Sequence, residues 1–333
     1  MFDWNKTIDV VAVGDTTQDI FLEMTDAQVQ CDSDNENCKL MLDYADKIAV
    51  NKKTDVPAVG NAANHAIGIA RMGLESAIYT VLGDDNQGHL AYDVFRENGV
   101  ETKYINFDKK RGTNFSAVIN FKTERTILVY HEPRDYQLPA LGKTKWIYLT
   151  SSSGDGLKQL HNQVLEYLDD KPETKLSFNP GTHQLHLGVE ELKPLLSKCD
   201  ILFLNREESA QLLNIDPDET AQLISGFHKL GVKMMVLTDG PGGSYVSDGQ
   251  KILFLPIYPG EVIERTGAGD SYGVGFLAAI IKGKEASEAM LWGNANSTSV
   301  VKYIGAREGL LDEEGLQEML AEHKDFKAEE YSG

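Results

Sequence analysis

The chain has 333 residues, 41% hydrophobic and 25% charged, with 30 Gly and 10 Pro, a make-up that fits a folded globular protein and excludes collagenous or low-complexity chains. Its formal charge of −19, from 32 basic and 51 acidic residues, argues against nucleic acid or an anionic membrane surface as partner, since both are gripped through Lys and Arg. The longest apolar run, residues 276–281, is far short of the roughly 20 needed to span a bilayer, and the N-terminal residues lack a secretory signal's basic region and cleavage site, so the expected location is cytoplasmic.

In chain order, residues 7–13 form a nearly continuous apolar run that ends at Gly14, as a strand buried on both faces would. A helix is predicted over 61–72, with Asn61 as a plausible N-cap and Gly73 closing it, then a strand over 76–82 and a helix over 86–97 stopped by Gly99. The second half repeats the alternation. Strands are predicted over 146–149, 175–178, 201–204 and 232–237, with helices over 156–168, 189–197, 207–213 and 218–230 between them. Such spacing implies βαβ units and a mostly parallel sheet covered on both faces, an α/β fold.

Two stretches break the alternation. Residues 20–24, 40–42 and 47–50 read as short strands around a polar loop, and 114–121 with 126–130 reads as a hairpin. Both are assigned to a small projecting β-sheet, a lid over a cleft, with an edge sheet of purely packing role as the alternative. The expected organisation is therefore a body of residues 1–19, 55–112 and 132–325, a β lid of 20–54 and 113–131, and a flexible tail of 326–333. Three cysteines make an odd count, so Cys31 and Cys38 are expected to be reduced thiols, and no companion pair at zinc spacing turns them into a metal site.

The most informative run is 264–280. Gly267, Ala268 and Gly269 make a tight turn with unobstructed N–H groups ahead of an apolar helical segment, which is an anion site. Asp270 stands at its edge. A carboxylate there can take a proton from a substrate hydroxyl while the amides hold a transferring phosphoryl group; the plainer alternative is a helix-start residue that complements the dipole. Other nucleotide motifs do not fit. Gln137 stands where the phosphate-loop pattern ending in Gly142-Lys143-Thr144 needs glycine, and Gly267, Gly269 and Gly273 miss the dinucleotide spacing by one residue.

Taken together, the ordered motifs resemble the ribokinase-like, or PfkB-type, family of carbohydrate and nucleoside kinases. Gly267-Ala268-Gly269-Asp270 matches its C-terminal signature, and Val13-Gly14-Asp15 with Asp19 resembles its first strand and substrate-binding aspartate. Residues 59–64 resemble its Gly-Gly-x-x-x-Asn stretch with Val59 in place of the first glycine, 82–88 its next segment, Asn205 to Glu208 its Asn-x-x-Glu element, and 238–243 its nucleotide loop. The resemblance spans about residues 8 to 306.

It implies a ribokinase-like three-layer α/β/α body with a β-sheet lid, and an ATP-dependent kinase acting on a sugar hydroxyl. The alternatives are a nucleoside kinase and a non-catalytic sugar or nucleotide sensor. By the same resemblance Asp270 is the catalytic base with Gly267, Ala268 and Gly269 as anion hole, Asp19, Gly60 and Asn64 contact the acceptor, and Thr238, Gly240, Gly243, Asn294 and Gly305 border the nucleotide. Asn205 and Glu208 would hold Mg²⁺; their spacing is equally that of a capping box. Glu264, where many relatives have Asp, makes K⁺ activation doubtful, and Arg265 either assists phosphate charge or pairs with an acidic neighbour. A homodimer through the lid is a further implication, which the polar insert at 30–39 would block if it covers the pairing edge.

Overall fold

The computed structural model describes residues 6–32, 38–122 and 124–332. Its first part runs β1 (Ile8–Val13), β2 (Thr17–Met24), β3 (Gln28–Cys31), β4 (Cys38–Met41), β5 (Lys52–Val59), α1 (Asn61–Arg71), β6 (Ser76–Tyr79), β7 (Val81–Gly83), α2 (Asn86–Glu97), β8 (Asn106–Asp108), β9 (Asn114–Phe121) and β10 (Glu124–Tyr130). There follow β11 (Thr144–Leu149), α3 (Leu157–Asp170), β12 (Lys175–Phe178), α4 (Thr182–Leu185), α5 (Val189–Lys198), β13 (Cys199–Asn205), α6 (Arg206–Leu213), α7 (Thr220–Lys229) and β14 (Met234–Thr238). The chain ends with β15 (Ser244–Ser247), β16 (Ile252–Leu255), α8 (Ala268–Ile281), α9 (Ala286–Val300), α10 (Glu313–Glu322) and β17 (Glu329–Glu330).

The central sheet has the order β17-β16-β15-β14-β13-β12-β11-β1-β6. From β6 to β14 all pairings are parallel, and β15, β16 and β17 add antiparallel strands at one edge. Because successive side chains alternate, Val10 and Ala12 of β1 join one apolar layer with α1, α8 and α9, while Val11 and Val13 join the other with α3, α5 and α7. This is the expected three-layer α/β architecture. Parallel pairing sends the C-terminal ends of β1, β11, β12, β13 and β14 to one edge, where ligands of open α/β sheets collect.

Helix α8 is apolar almost all round and buried from Ser271 through Ala279, so it sits inside the layer instead of on its surface. Close approach to α9 depends on Gly275, where an added Cβ would lie 2.4 Å from the Trp292 carbonyl oxygen. The accessory sheet has the order β10-β9-β2-β5, with β2 and β9 parallel and both outer pairs antiparallel.

Three expectations are corrected. The strand expected over 47–50 is instead β5, which pairs along β2 from Glu23 opposite Lys52 to Thr17 opposite Val59; being an outer strand it carries Lys52, Lys53 and Asp55, which hid it from an apolar-pattern reading. The tail expected to be flexible adds β17 to the sheet, with Glu329 and Glu330 opposite Phe254 and Leu253 and the Tyr331 ring 5.1 Å from that of Tyr245. Cys31 and Cys38 are not free thiols but a disulfide, because the β3–β4 ladder sets them opposite each other with Cα atoms 4.0 Å apart. Counting cysteines gives no access to that register.

Gly275→Ala is expected to lower stability by about 1–3 kcal/mol, the usual cost of overpacking, seen as a lower urea midpoint at unchanged slope.

Candidate active site

The turn before α8 is built by a glycine that no other residue can replace. Gly267, the N-cap, has φ 77°, and a Cβ there would meet Ala306 Cβ at 2.3 Å and Cα at 2.6 Å. The Ala268 N–H is taken by the Arg265 carbonyl at 3.2 Å, and the Ser271 N–H by Gly267 at 2.9 Å. Among the described residues the N–H groups of Gly269 and Asp270 meet no protein acceptor. Both residues line a cavity of about 820 Å³, and Gly269 has open space where a side chain would be. Free amides at a helix start with the positive end of its dipole make an anion site.

Asp270 lines that cavity too, and its Oδ2 accepts from Asn64 Nδ2 at 2.9 Å. Burial pushes its carboxyl up to about 6; the Asn64 bond works against the rise and the Glu208 charge adds to it. Asn64 is buried in the first turns of α1. That helix starts at Gly60, whose φ of 104° favours glycine and where an added Cβ would lie a tight 3.1 Å from the Asp15 carbonyl oxygen. Asp19, Gly60 and Asn64 lie outside the cavity lining; of the three, Asn64 is joined to it by its bond to Asp270.

Asp19 sits on β2 opposite Ser116 of β9. Burial raises its carboxyl to about 6, a bond from the Ser116 hydroxyl lowers it, Glu264 raises it and Arg125 lowers it. Asp15, deeper, is held by Tyr136 Oη at 2.7 Å and Ser153 Oγ at 2.8 Å, so it is a structural anchor for the end of β1.

Thr238, Gly240, Gly243 and Asn294 line the cavity as expected of a nucleotide border. Asn294 is committed to the chain beside it, donating to the Pro256 carbonyl at 2.9 Å and accepting from the Tyr258 N–H at 3.4 Å, so it shapes the wall by fixing residues 256–258. Gly305 does not line the cavity; its N–H donates to Glu264 Oε2 at 2.7 Å.

Asn205 and Glu208 form a reciprocal capping box at the start of α6: Asn205 Oδ1 accepts from the Glu208 N–H at 2.7 Å and Glu208 Oε2 from the Asn205 N–H at 2.9 Å. Both also face the cavity. Burial raises the Glu208 carboxyl, and no Lys or Arg offsets it, whereas nearby Asp239 is paired with Arg206 at 2.9 Å. A carboxylate left without a cation beside an anion site fits Mg²⁺ carried by a nucleotide, although no cluster of three or more metal-ligating side chains occurs among the described residues. The residues do not fit a monovalent cation at Glu264. Its carboxylate accepts from Thr266 Oγ1 at 2.6 Å, from the Gly305 N–H and from the Arg125 guanidinium.

Several site residues escaped the motif reading. Asn179, which follows a predicted strand directly, lines the cavity and accepts from Asn61 Nδ2 at 3.3 Å, joining the end of β12 to α1. Arg265, which the sequence had left between assisting phosphate charge and pairing with an acidic neighbour, was not missed: it lines the cavity and has no salt bridge among the described residues. Arg125 and Arg307 gave no local signal at all.

Residues 25–313 match the family described as pfkB family carbohydrate kinase, and the chain belongs to that family. It is 27% identical over 273 residues to an ATP-dependent 6-phosphofructokinase of Thermoanaerobacterium thermosaccharolyticum, covering 78% of this chain and 84% of that one. To a nucleoside kinase of Methanocaldococcus jannaschii it is 26% identical over 286 residues, 80% of this chain and 86% of the other. The fold is shared with Arabidopsis thaliana ribokinase complexed with ribose and ATP, at a TM-score of 0.79 and 20% identity over 95% of this chain and 99% of that one.

Gly267→Ala is expected to displace the turn from Ala306 and to cut kinase turnover by about tenfold or more, the loss typical when donors to a developing charge move. A steady-state assay at saturating substrate checks it.

Proposed function

We propose that the protein is an ATP-dependent kinase that transfers the γ-phosphoryl group to a hydroxyl of a sugar. The observation that carries this reading is Asp270: a carboxylate of raised pKa, oriented by Asn64, at the first turn of α8 beside amides with no protein acceptor.

In this scheme Asp270 takes the proton of the attacking hydroxyl, and the N–H groups of Gly269 and Asp270 hold the charge on the phosphoryl group in transit. A pKa near 6 leaves the carboxylate ionised at neutral pH yet basic enough to receive a proton. Asp19 accepts from acceptor hydroxyls, and Gly60 lets the substrate approach the backbone. Arg265 offers its charge to the phosphates from the cavity wall. Magnesium bound with the nucleotide would neutralise phosphate charge, held through Glu208 and Asn205. The accessory sheet acts as a lid that keeps water, the competing nucleophile, from the acceptor.

A sugar is favoured over a nucleoside by the faces of that sheet. Side chains alternate along β9, and Ser116 shares a face with Asp19, so the neighbouring Phe115 projects from the opposite face, together with Tyr130, its ring 5.6 Å away. The aromatic pair suited to stacking on a base is therefore turned away from the acceptor. Strand β10 is an outer strand with Leu128, Val129 and Tyr130 about half exposed (56%, 58% and 49%), which supports pairing with a second copy of the chain.

Asp270→Asn is expected to lower kcat by about 10²–10⁴. In the wild type, kcat rises with pH through about 6 and then levels, as Asp270 loses its proton. Stability runs the other way. A carboxyl whose folded pKa is raised contributes stability that is full below 3.8 and lost as pH rises through about 6, so the Asn variant should melt no lower than wild type at neutral pH. Turnover by Asp270→Asn at the wild-type rate would refute the base. Arg265→Ala is expected to raise the KM for ATP and lower kcat/KM, read from ATP titrations at saturating sugar.

A further inference from the structure

The two outer strands of the accessory sheet, β10 and β5, are each tied by an arginine to the segments that shape the phosphate turn. On the β10 side, Arg125 is paired with Glu264. Strand register sets Arg125 opposite Asn120 of β9, and alternation gives it the face of Ser116 and Asp19. On the β5 side, Arg307 donates to the carbonyls of Pro57 at 2.9 Å and Ala58 at 3.2 Å, just ahead of Gly60. Between the two arginines runs a short chain of contacts. Glu264 accepts from the Gly305 N–H, Ala306 abuts the Gly267 N-cap, and Arg307 follows.

The two ties differ in kind. Arg307 is half-buried and bonded to two backbone carbonyls, which makes it a fixed joint. The Arg125 side chain is 32% exposed against 13% for Glu264, so the carboxylate is the anchored partner, fixed also by Thr266, and the guanidinium the one that can leave. A partly exposed ion pair contributes little net stability, which suits a contact that must form and break.

We propose that Arg125 is a positioning residue: its pairing with Glu264 sets the 264–267 turn for phosphoryl transfer when the accessory sheet lies over the acceptor, and its guanidinium supplies there the positive charge that a monovalent cation would otherwise bring. The kinetic part rests on the kinase reading above; the coupling of sheet to turn does not. Both partners also act on the Asp19 carboxyl, Glu264 raising its pKa and Arg125 lowering it.

The test compares wild type, Arg125→Ala, Arg125→Lys and the charge swap R125E/E264R in three readouts. Amide exchange of the 264–270 segment without ligand should quicken in Arg125→Ala while the central sheet stays protected. Its kcat should fall about tenfold with a smaller change in the KM for ATP, with partial recovery in Arg125→Lys and the swap. Replacing K⁺ by tetramethylammonium should leave the wild-type rate unchanged. Unaltered exchange together with unaltered kcat in Arg125→Ala overturns the proposal, and so does a wild type stimulated by K⁺. A wild type inactive on every sugar, with exchange still quickened in Arg125→Ala, defeats the sugar-kinase reading and leaves the coupling standing.

Discussion

The arrangement depends on one buried hydrogen bond, Asn64 to Asp270, between the first turn of α1 and the first turn of α8. Each partner stands where a glycine has opened the backbone, Gly60 ahead of one helix and Gly267 ahead of the other. The bond ties a carboxylate of the cavity wall to the other helix. Burial then makes that carboxylate basic, while the helix start beside it stays positive. Neither property arises from Asp270 alone.

The apolar layers exist to hold that bond in place. Helix α8 is packed between α1 and α9, with Gly275 admitting the Trp292 backbone and Gly68 the Val274 side chain. Around it the polar residues divide their labour. Asp15 and Asn294 are spent on holding the chain. Glu208 and Arg265 face the cavity without a salt bridge among the described residues. Asn205 does both, capping α6 through its carbonyl oxygen while facing the cavity.

The body was legible because buried parallel strands and glycine-stopped helices carry strong local signals, and Gly267-Ala268-Gly269-Asp270 declares its turn by composition alone. What could not be read follows a physical pattern. Strand β5 and strand β17 are outer strands with charged residues, so no apolar alternation marks them. The Cys31–Cys38 bond depends on hairpin register. The Arg125–Glu264 pair and the Arg307 joint link residues more than a hundred positions apart, and no window along the chain contains both ends. For Asn205 and Glu208 the sequence offered a cap and a metal role, and the structure shows the cap while leaving Glu208 facing the cavity without a cation.

Asp270 is either a base made by burial or an ordinary helix-start carboxylate. Carboxyl ¹³C NMR, with the Asp270 signal identified by difference against the Asn variant, measures this directly in the ligand-free protein. A titration centred near 6 is the result required; a carboxyl that titrates at its unperturbed value of 3.8 would contradict the account.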